Sequence, residues 1–132
     1  MREPRWLNRL VVDVIHAELL QEHGGLPGVR EGGEDLIESA LARPRNRFAY
    51  DPECDLADLA AAYLFGFVKN HGYADGNKRV GFAAAVTFLL LNGRRLTAPE
   101  EAAYDTVIGL AEGRNPEPEV ADWFREHTQP AE

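Results

Sequence analysis

An all-α bundle of about six helices is the fold class this sequence predicts, and three observations predict it. Apolar residues recur at helical spacing over most of the chain. From Val80 to Leu91 nearly every residue is apolar, interrupted by Gly81 and Thr87. No internal repeat, low-complexity segment or second domain is visible, which leaves one bundle over residues 1–132. A helix with no polar face belongs inside such a bundle, so 78–92 is expected as its buried central helix. The run is a dozen residues, against the roughly 20 needed to cross a bilayer. Gly93 then supplies a C-terminal stop, with Arg94 and Arg95 beyond it.

The other elements follow in order. Between about Asn8 and Glu22, Leu7, Leu10, Val11, Val14, Ile15 and Leu19 fall at helical spacing and predict an amphipathic first helix with these residues inward. His16 lies close to that stripe and reads more readily as a hydrogen-bonded core histidine than as a residue touching a site. Gly24-Gly-Leu-Pro-Gly28 breaks the helix. Leu36, Ile37, Ala40 and Leu41 predict a short second helix over 34–42, ended by Pro44. Residues 43–52, with arginines at 43, 45 and 47, are expected as a loop with a short extended piece at Phe48–Tyr50.

Asp55 is suited to cap a third helix with Asp58 three residues on, and Leu56, Leu59, Ala60, Tyr63, Leu64, Phe67 and Val68 form its inward stripe to near Asn70. Beyond Gly93, Pro99 with Glu100 and Glu101 starts a helix that Gly113 closes. Asn115-Pro116 starts a last one, with Val120, Trp123, Phe124 and His127 as its stripe, and the tail after Thr128 is expected to fray.

A chain of 132 residues can bury roughly two-thirds of its unfolded surface without cross-links. The net charge of −8 argues against a general nucleic-acid or membrane-surface binder, which would gather Lys and Arg. Cys54 is the sole cysteine, so no internal disulfide or cysteine-based metal cluster can form. The N-terminus, Met-Arg-Glu-Pro-Arg-Trp, is unlike a secretory signal. A reducing, cytoplasmic setting is expected.

The central helix is entered through the polar loop His71-Gly-Tyr-Ala-Asp-Gly-Asn-Lys-Arg79. The first N–H groups of a helix have no partner inside it and lie at the positive end of its dipole, which attracts anions and phosphate above all. Gly76 lets a ligand approach the backbone, Asn77 is suited to cap the helix, Lys78 brings a point charge and Arg79 a planar fork. Asp75 is the odd member, since a carboxylate repels phosphates unless a divalent cation, Mg²⁺ for preference, lies between them. His71 stands ready as a base. Each residue alone has a plain structural reading as a cap, a helix-end acid or a solvated cation. Their concentration at the mouth of an apolar helix favours a site. The loop is no Walker A motif, because Arg79 follows Lys78 where Ser or Thr would stand and no strand precedes it.

These residues resemble the signature of the Fic/Doc family, most closely its death-on-curing (Doc) branch, whose motif reads His-x-Phe-x-Asp-(Gly/Ala)-Asn-Lys-Arg. The similarity extends from Gly24-Gly-Leu-Pro-Gly28 through Ser39-Ala-Leu-Ala-Arg-Pro44 to Leu91-Asn-Gly93. Gly72 stands where the wider family often has Pro, and is expected to loosen the loop. Tyr73 replaces the usual Phe and brings a hydroxyl that needs a partner.

The resemblance implies the toxin of a toxin–antitoxin system, a protein kinase that moves the γ-phosphate of ATP to a Ser or Thr hydroxyl of a protein. It further implies elongation factor Tu as target, inhibition of translation, and a prevent-host-death type antitoxin as partner. His71 would accept the hydroxyl proton and Asp75 would hold Mg²⁺. The N–H groups after Gly76 would form an anion cradle, and Asn77, Lys78 and Arg79 would grip phosphate oxygens. A β-like flap beside the site is expected near 46–51. Two rival readings are open. One is Fic-type nucleotidyl transfer (adenylylation), whose members carry Gly at the place of Lys78 and a second arginine at that of Phe82. The other is a catalytically silent nucleotide- or antitoxin-binding module.

Overall fold

A computed structural model describes residues 2–131. The described residues form the expected all-α bundle: α1 (Arg9–His23), α2 (Gly33–Tyr50), α3 (Leu56–Asn70), α4 (Asn77–Leu91), α5 (Glu100–Ala111) and α6 (Glu117–Glu126). Two short strands accompany them, β1 (Arg94–Leu96) and β2 (Thr128–Pro130).

The two helices that hold the polar loop form the centre of the bundle. The start of α3 is fixed by a reciprocal capping box, in which the Asp58 amide donates to Asp55 Oδ1 at 2.9 Å and the Asp55 amide donates to Asp58 Oδ2 at 3.0 Å. Leu59, Tyr63, Leu64, Phe67 and Val68 of α3 are buried, and the helix packs against α2, α4, α5 and α6. From α4, Val80, Ala84, Ala85, Phe88 and Leu89 are buried with them, while Leu90 and Leu91 at its end reach the surface. Gly81 permits the close approach of the two helices, since a Cβ there would lie 3.1 Å from the Cβ of Phe67 and 3.3 Å from the Leu64 carbonyl oxygen.

Three local expectations are corrected. Pro44 does not end the second helix: α2 runs on to Tyr50, so there is no loop over 43–52 and no β-like flap over 46–51. An interior proline costs roughly 3 kcal/mol, but burying a large apolar side chain returns about 1.5–3 kcal/mol. Here Ile37, Ala40, Leu41 and Pro44 share one buried face and Phe48 extends it. The three arginines are spent on this packing. Arg43 lies over the Phe65 ring at 4.3 Å and pairs with Glu117, Arg45 lies over Trp6, and Arg47 reaches Asp51 and Asp58.

The expected stripe of the first helix holds in half of its residues, since Leu7 is buried and Ile15 and Leu19 pack against the core. Val12 and His16 are buried, whereas Leu10, Val11 and Val14 are 71%, 36% and 48% exposed. Beside them the polar side chains Arg9, Asp13 and His16, at i, i+4 and i+7, form a second stripe that bonds to α2 and to the loop before α4. Residues 128–130 of the tail do not fray, because β2 pairs antiparallel with β1 in the register Arg94↔Pro130, Arg95↔Gln129, Leu96↔Thr128. No described helix is long and apolar enough to cross a membrane.

Candidate active site

The loop between α3 and α4 begins at a backbone conformation that L-residues rarely adopt. His71 caps α3 in the left-handed region, φ 51° and ψ 50°, and is the sole non-glycine with positive φ among the described residues. Such conformations cost about 1–3 kcal/mol and persist where the surroundings impose them. Arg30 is one imposing group: its guanidinium donates to the carbonyls of His71 and Asn70, satisfying the open C-terminal carbonyls of α3 with a positive charge. The imidazole of His71 remains exposed.

The far end of the loop starts α4 without the side-chain cap expected from Asn77. Gly76 is the N-cap, in the left-handed region at φ 78°. Asn77 is the first helical residue, 5% exposed, with its amide turned back into the loop. Its Oδ1 accepts from the Tyr73 amide at 3.0 Å and its Nδ2 donates to the Tyr73 carbonyl at 3.0 Å. Nδ2 also lies 3.4 Å from His71 Nδ1, longer than an ordinary hydrogen bond and too weak to fix the imidazole tautomer.

Two neighbours clamp this turn from outside. On one side the segment 28–30 lies antiparallel to 72–74. The Arg30 amide donates to the Gly72 carbonyl, the Ala74 amide to the Gly28 carbonyl, and Val29 bridges Tyr73. The extended segment beside the site is therefore 28–30, not 46–51. Gly72 is a tight contact rather than a loose joint, because a Cβ on it would fall 2.5 Å from Ile37 Cγ1 and 3.0 Å from the Gly33 carbonyl oxygen. Gly72→Ala is expected to destabilise the protein by about 1–3 kcal/mol through overpacking. Urea unfolding of the two proteins checks this, and equal midpoints would show that the loop yields freely.

On the other side stands α1. The Tyr73 hydroxyl donates to Asp13 Oδ1 at 2.7 Å, which answers the partner that this hydroxyl required. Arg9 Nε donates to the same oxygen at 2.9 Å while its terminal nitrogens reach Glu34 and Glu38 on α2. Burial raises the Tyr73 pKa and the Asp13 charge adds to it. Burial also pushes Asp13 upward, but hydrogen bonds from Tyr73 and Arg9 outweigh it and hold the carboxyl below its usual range. The proton thus stays on Tyr73 and the charge on Asp13. His16 lies flat on Tyr73, with centroids 3.9 Å apart, and places Nε2 2.9 Å from the Asp75 carbonyl oxygen.

The charge at the start of α4 runs against the helix rule. The other helices without a side-chain cap carry acids in the first turn, Glu34 and Asp35 on α2, Glu100 and Glu101 on α5, Glu117 and Glu119 on α6. Those suit the positive end of the dipole. The first turn of α4 has no acid and carries Lys78 and Arg79, both exposed and without an ion pair among the described residues. Two cations beside open N–H groups are unfavourable until an anion arrives. Asp75 is exposed just before them, its Oδ1 accepting from the Gly76 amide at 2.9 Å and its Oδ2 from the Leu26 amide at 3.3 Å. No group of three or more His, Cys, Asp or Glu is gathered for a metal among the described residues. A single anchored carboxylate with lone pairs to spare still fits Mg²⁺, which takes one or two carboxylates and fills its shell with water and phosphate oxygens.

The six residues singled out by sequence lie at the α3–α4 junction, with His71 capping α3, Asp75 and Gly76 in the loop, and Asn77, Lys78 and Arg79 beginning α4. Phe82, where the wider family has its second arginine, is half-buried and stacks on Phe124. Arg9, Asp13, His16, Arg30 and Gly33 were not assigned to the site from sequence. The polar stripe at 9, 13 and 16 is the signal that could have shown three of them.

The junction of the two central helices of this all-α bundle thus exposes a histidine on one side and, on the other, a cationic helix start that has no side-chain cap. The Fic/DOC family model matches residues 6–89, and the chain belongs to that family. It is 33% identical over 111 residues to the protein kinase doc of Escherichia phage P1, covering 84% of this chain and 86% of that protein. It is 45% identical over 76 residues to the toxin Doc of Mycolicibacterium smegmatis, 57% of each chain. These relatives place it on the Doc branch.

Proposed function

We propose that this chain is a Doc-type toxin that transfers the γ-phosphate of ATP to a Ser or Thr hydroxyl of a protein and so inhibits translation, with elongation factor Tu as target. The observation that carries the reading is the start of α4, where open N–H groups meet Lys78 and Arg79 with no side-chain cap and no acid in the first turn. The names of the two relatives, a protein kinase and a toxin, support it. Phe82 in the apolar packing favours it over nucleotidyl transfer, because no second arginine is present to grip a differently oriented nucleotide.

In this reading the exposed imidazole of His71 accepts the proton of the target hydroxyl as its oxygen bonds to the γ-phosphorus and the bridging P–O bond to ADP breaks. The amides of Asn77, Lys78 and Arg79 cradle phosphate oxygens, and the Lys78 and Arg79 side chains neutralise their charge. The Asn77 side chain serves by folding the loop, since both ends of its amide are engaged there. Asp75 would hold Mg²⁺, which offsets phosphate charge when bound. A prevent-host-death type antitoxin is the proposed partner, and the exposed apolar Leu10 and Val14 on α1 offer it a surface.

The test is incubation with elongation factor Tu and ATP labelled separately at the α- and γ-phosphate, followed by intact mass. Gain of one phosphate is expected. Gain of a nucleotide, or no change, overturns the reading in favour of adenylylation or a silent module. Asp75→Asn is expected to raise the Mg²⁺ concentration for half-maximal transfer by about tenfold, because an amide is a poor ligand for a hard cation, with little change in melting temperature. Identical Mg²⁺ titrations in the two proteins would return Asp75 to a purely structural role.

A further inference from the structure

We propose that His16 is a positioning residue of this loop, setting the peptide plane that aims the Asp75 carboxylate; the inference rests on Asp75 being the cation-holding group. His16 is 5% exposed, and its Nε2 lies 2.9 Å from the Asp75 carbonyl oxygen. A carbonyl only accepts, so Nε2 carries a proton. The peptide between Asp75 and Gly76 is planar and trans, so its C=O and N–H point in opposite directions. With the carbonyl held toward α1, the Gly76 N–H is turned away from α1 and onto Asp75 Oδ1 at 2.9 Å. The Leu26 amide holds the other oxygen. The carboxylate is thereby fixed at both oxygens, and the His16 bond fixes the peptide that supplies one of these anchors.

The imidazole cannot swing away cheaply. Its ring stacks on Tyr73, whose hydroxyl is tied to Asp13 one turn earlier on α1. It also borders Gly76, where an added Cβ would sit 3.8 Å from His16 Nε2 and Cδ2. Arg9 and Asp13 spend their polar atoms on Tyr73, Glu34, Glu38 and each other. His16 is thus the α1 side chain that bonds the loop backbone itself. Without it the Asp75 carbonyl loses its protein partner and nothing on α1 holds the 75–76 peptide in this orientation.

The experiment compares His16→Phe, which keeps a flat ring but has no N–H, with His16→Gln, which keeps a donor. The measurements are the Mg²⁺ dependence of γ-phosphate transfer, kcat at saturating Mg²⁺, and the amide proton resonances of Gly76 and Leu26 without nucleotide. His16→Phe should raise the half-saturating Mg²⁺ concentration about tenfold, equivalent to ~1.4 kcal/mol, leave kcat at saturation within about threefold, and shift both amide resonances. His16→Gln should stay within about threefold of wild type throughout. Unchanged Mg²⁺ dependence and resonances in His16→Phe overturn the proposal, as does an equal fall of kcat in both variants at unaltered Mg²⁺ dependence. His16→Met, flexible and also without a donor, replaces the Phe variant should that not fold. If wild type transfers no phosphate, the kinase reading fails on its own. The resonances then decide the role of His16, a shift in the donor-less variant alone supporting it and no shift overturning it.

Discussion

His71→Ala is expected to lower phosphoryl transfer by about 10²–10⁴-fold, the usual contribution of a general base, while ATP binding stays close to wild type. The imidazole is exposed and contributes little to packing, so the loss should fall on kcat and not on the affinity for nucleotide. Single-turnover transfer and equilibrium ATP binding, measured side by side, separate the two. Unchanged transfer would remove His71 from the chemistry, and loss of binding as well would make it a structural residue. The backbone gives this position a second signature. At φ 51° a glycine is unstrained, so His71→Gly should be as inactive as the alanine variant yet more stable than it by about 1 kcal/mol. An inactive variant that melts higher would mark His71 as a residue kept for chemistry at the expense of local stability.

The helical content was legible because period-3.6 patterns survive wherever a helix buries an apolar face, as on α3 and α6. The missing N–H of Pro44 is a local property and points to a helix end, whereas its burial on the inward face of α2 is not. Burial of Leu41, Pro44 and Phe48 is a tertiary quantity, invisible to spacing. The first helix misled for a complementary reason. Its apolar residues at 10, 11 and 14 outnumber its buried ones, and the face that matters is polar, bonded to the loop through Asp13 and His16. The chemistry-bearing side chains of the loop are neighbours because nine contiguous residues cannot lie far apart. What spacing could not supply was the direction of Asn77, which folds the loop instead of capping α4. Nor could it show that the extended neighbour is 28–30, since a single bridge between Val29 and Tyr73 leaves no alternation to read.

Lys78→Gly is expected to lower γ-phosphate transfer by roughly 10- to 100-fold, because a charge-assisted hydrogen bond to phosphate contributes about 1.5–3 kcal/mol. The position is exposed in the first turn of α4 and its side chain has no ion pair among the described residues, so nothing folded depends on that charge. Removing a cation from the positive end of a helix dipole favours the fold by a few tenths of a kcal/mol. Glycine near a helix start costs up to about 1 kcal/mol. The net cost stays below about 1 kcal/mol, so the melting temperature should move by only a few degrees while activity falls. Glycine at this place is also what nucleotidyl-transferring members of the wider family carry, so the variant probes the division between the two chemistries. Adenylylation is not expected to appear, because Phe82 occupies the place of the second arginine and is committed to packing on Phe124. The doubly labelled ATP assay on wild type and Lys78→Gly decides. Transfer of the α-phosphate with its nucleoside by wild type, or γ-phosphate transfer by Lys78→Gly at the wild-type rate, would end the kinase assignment of this loop.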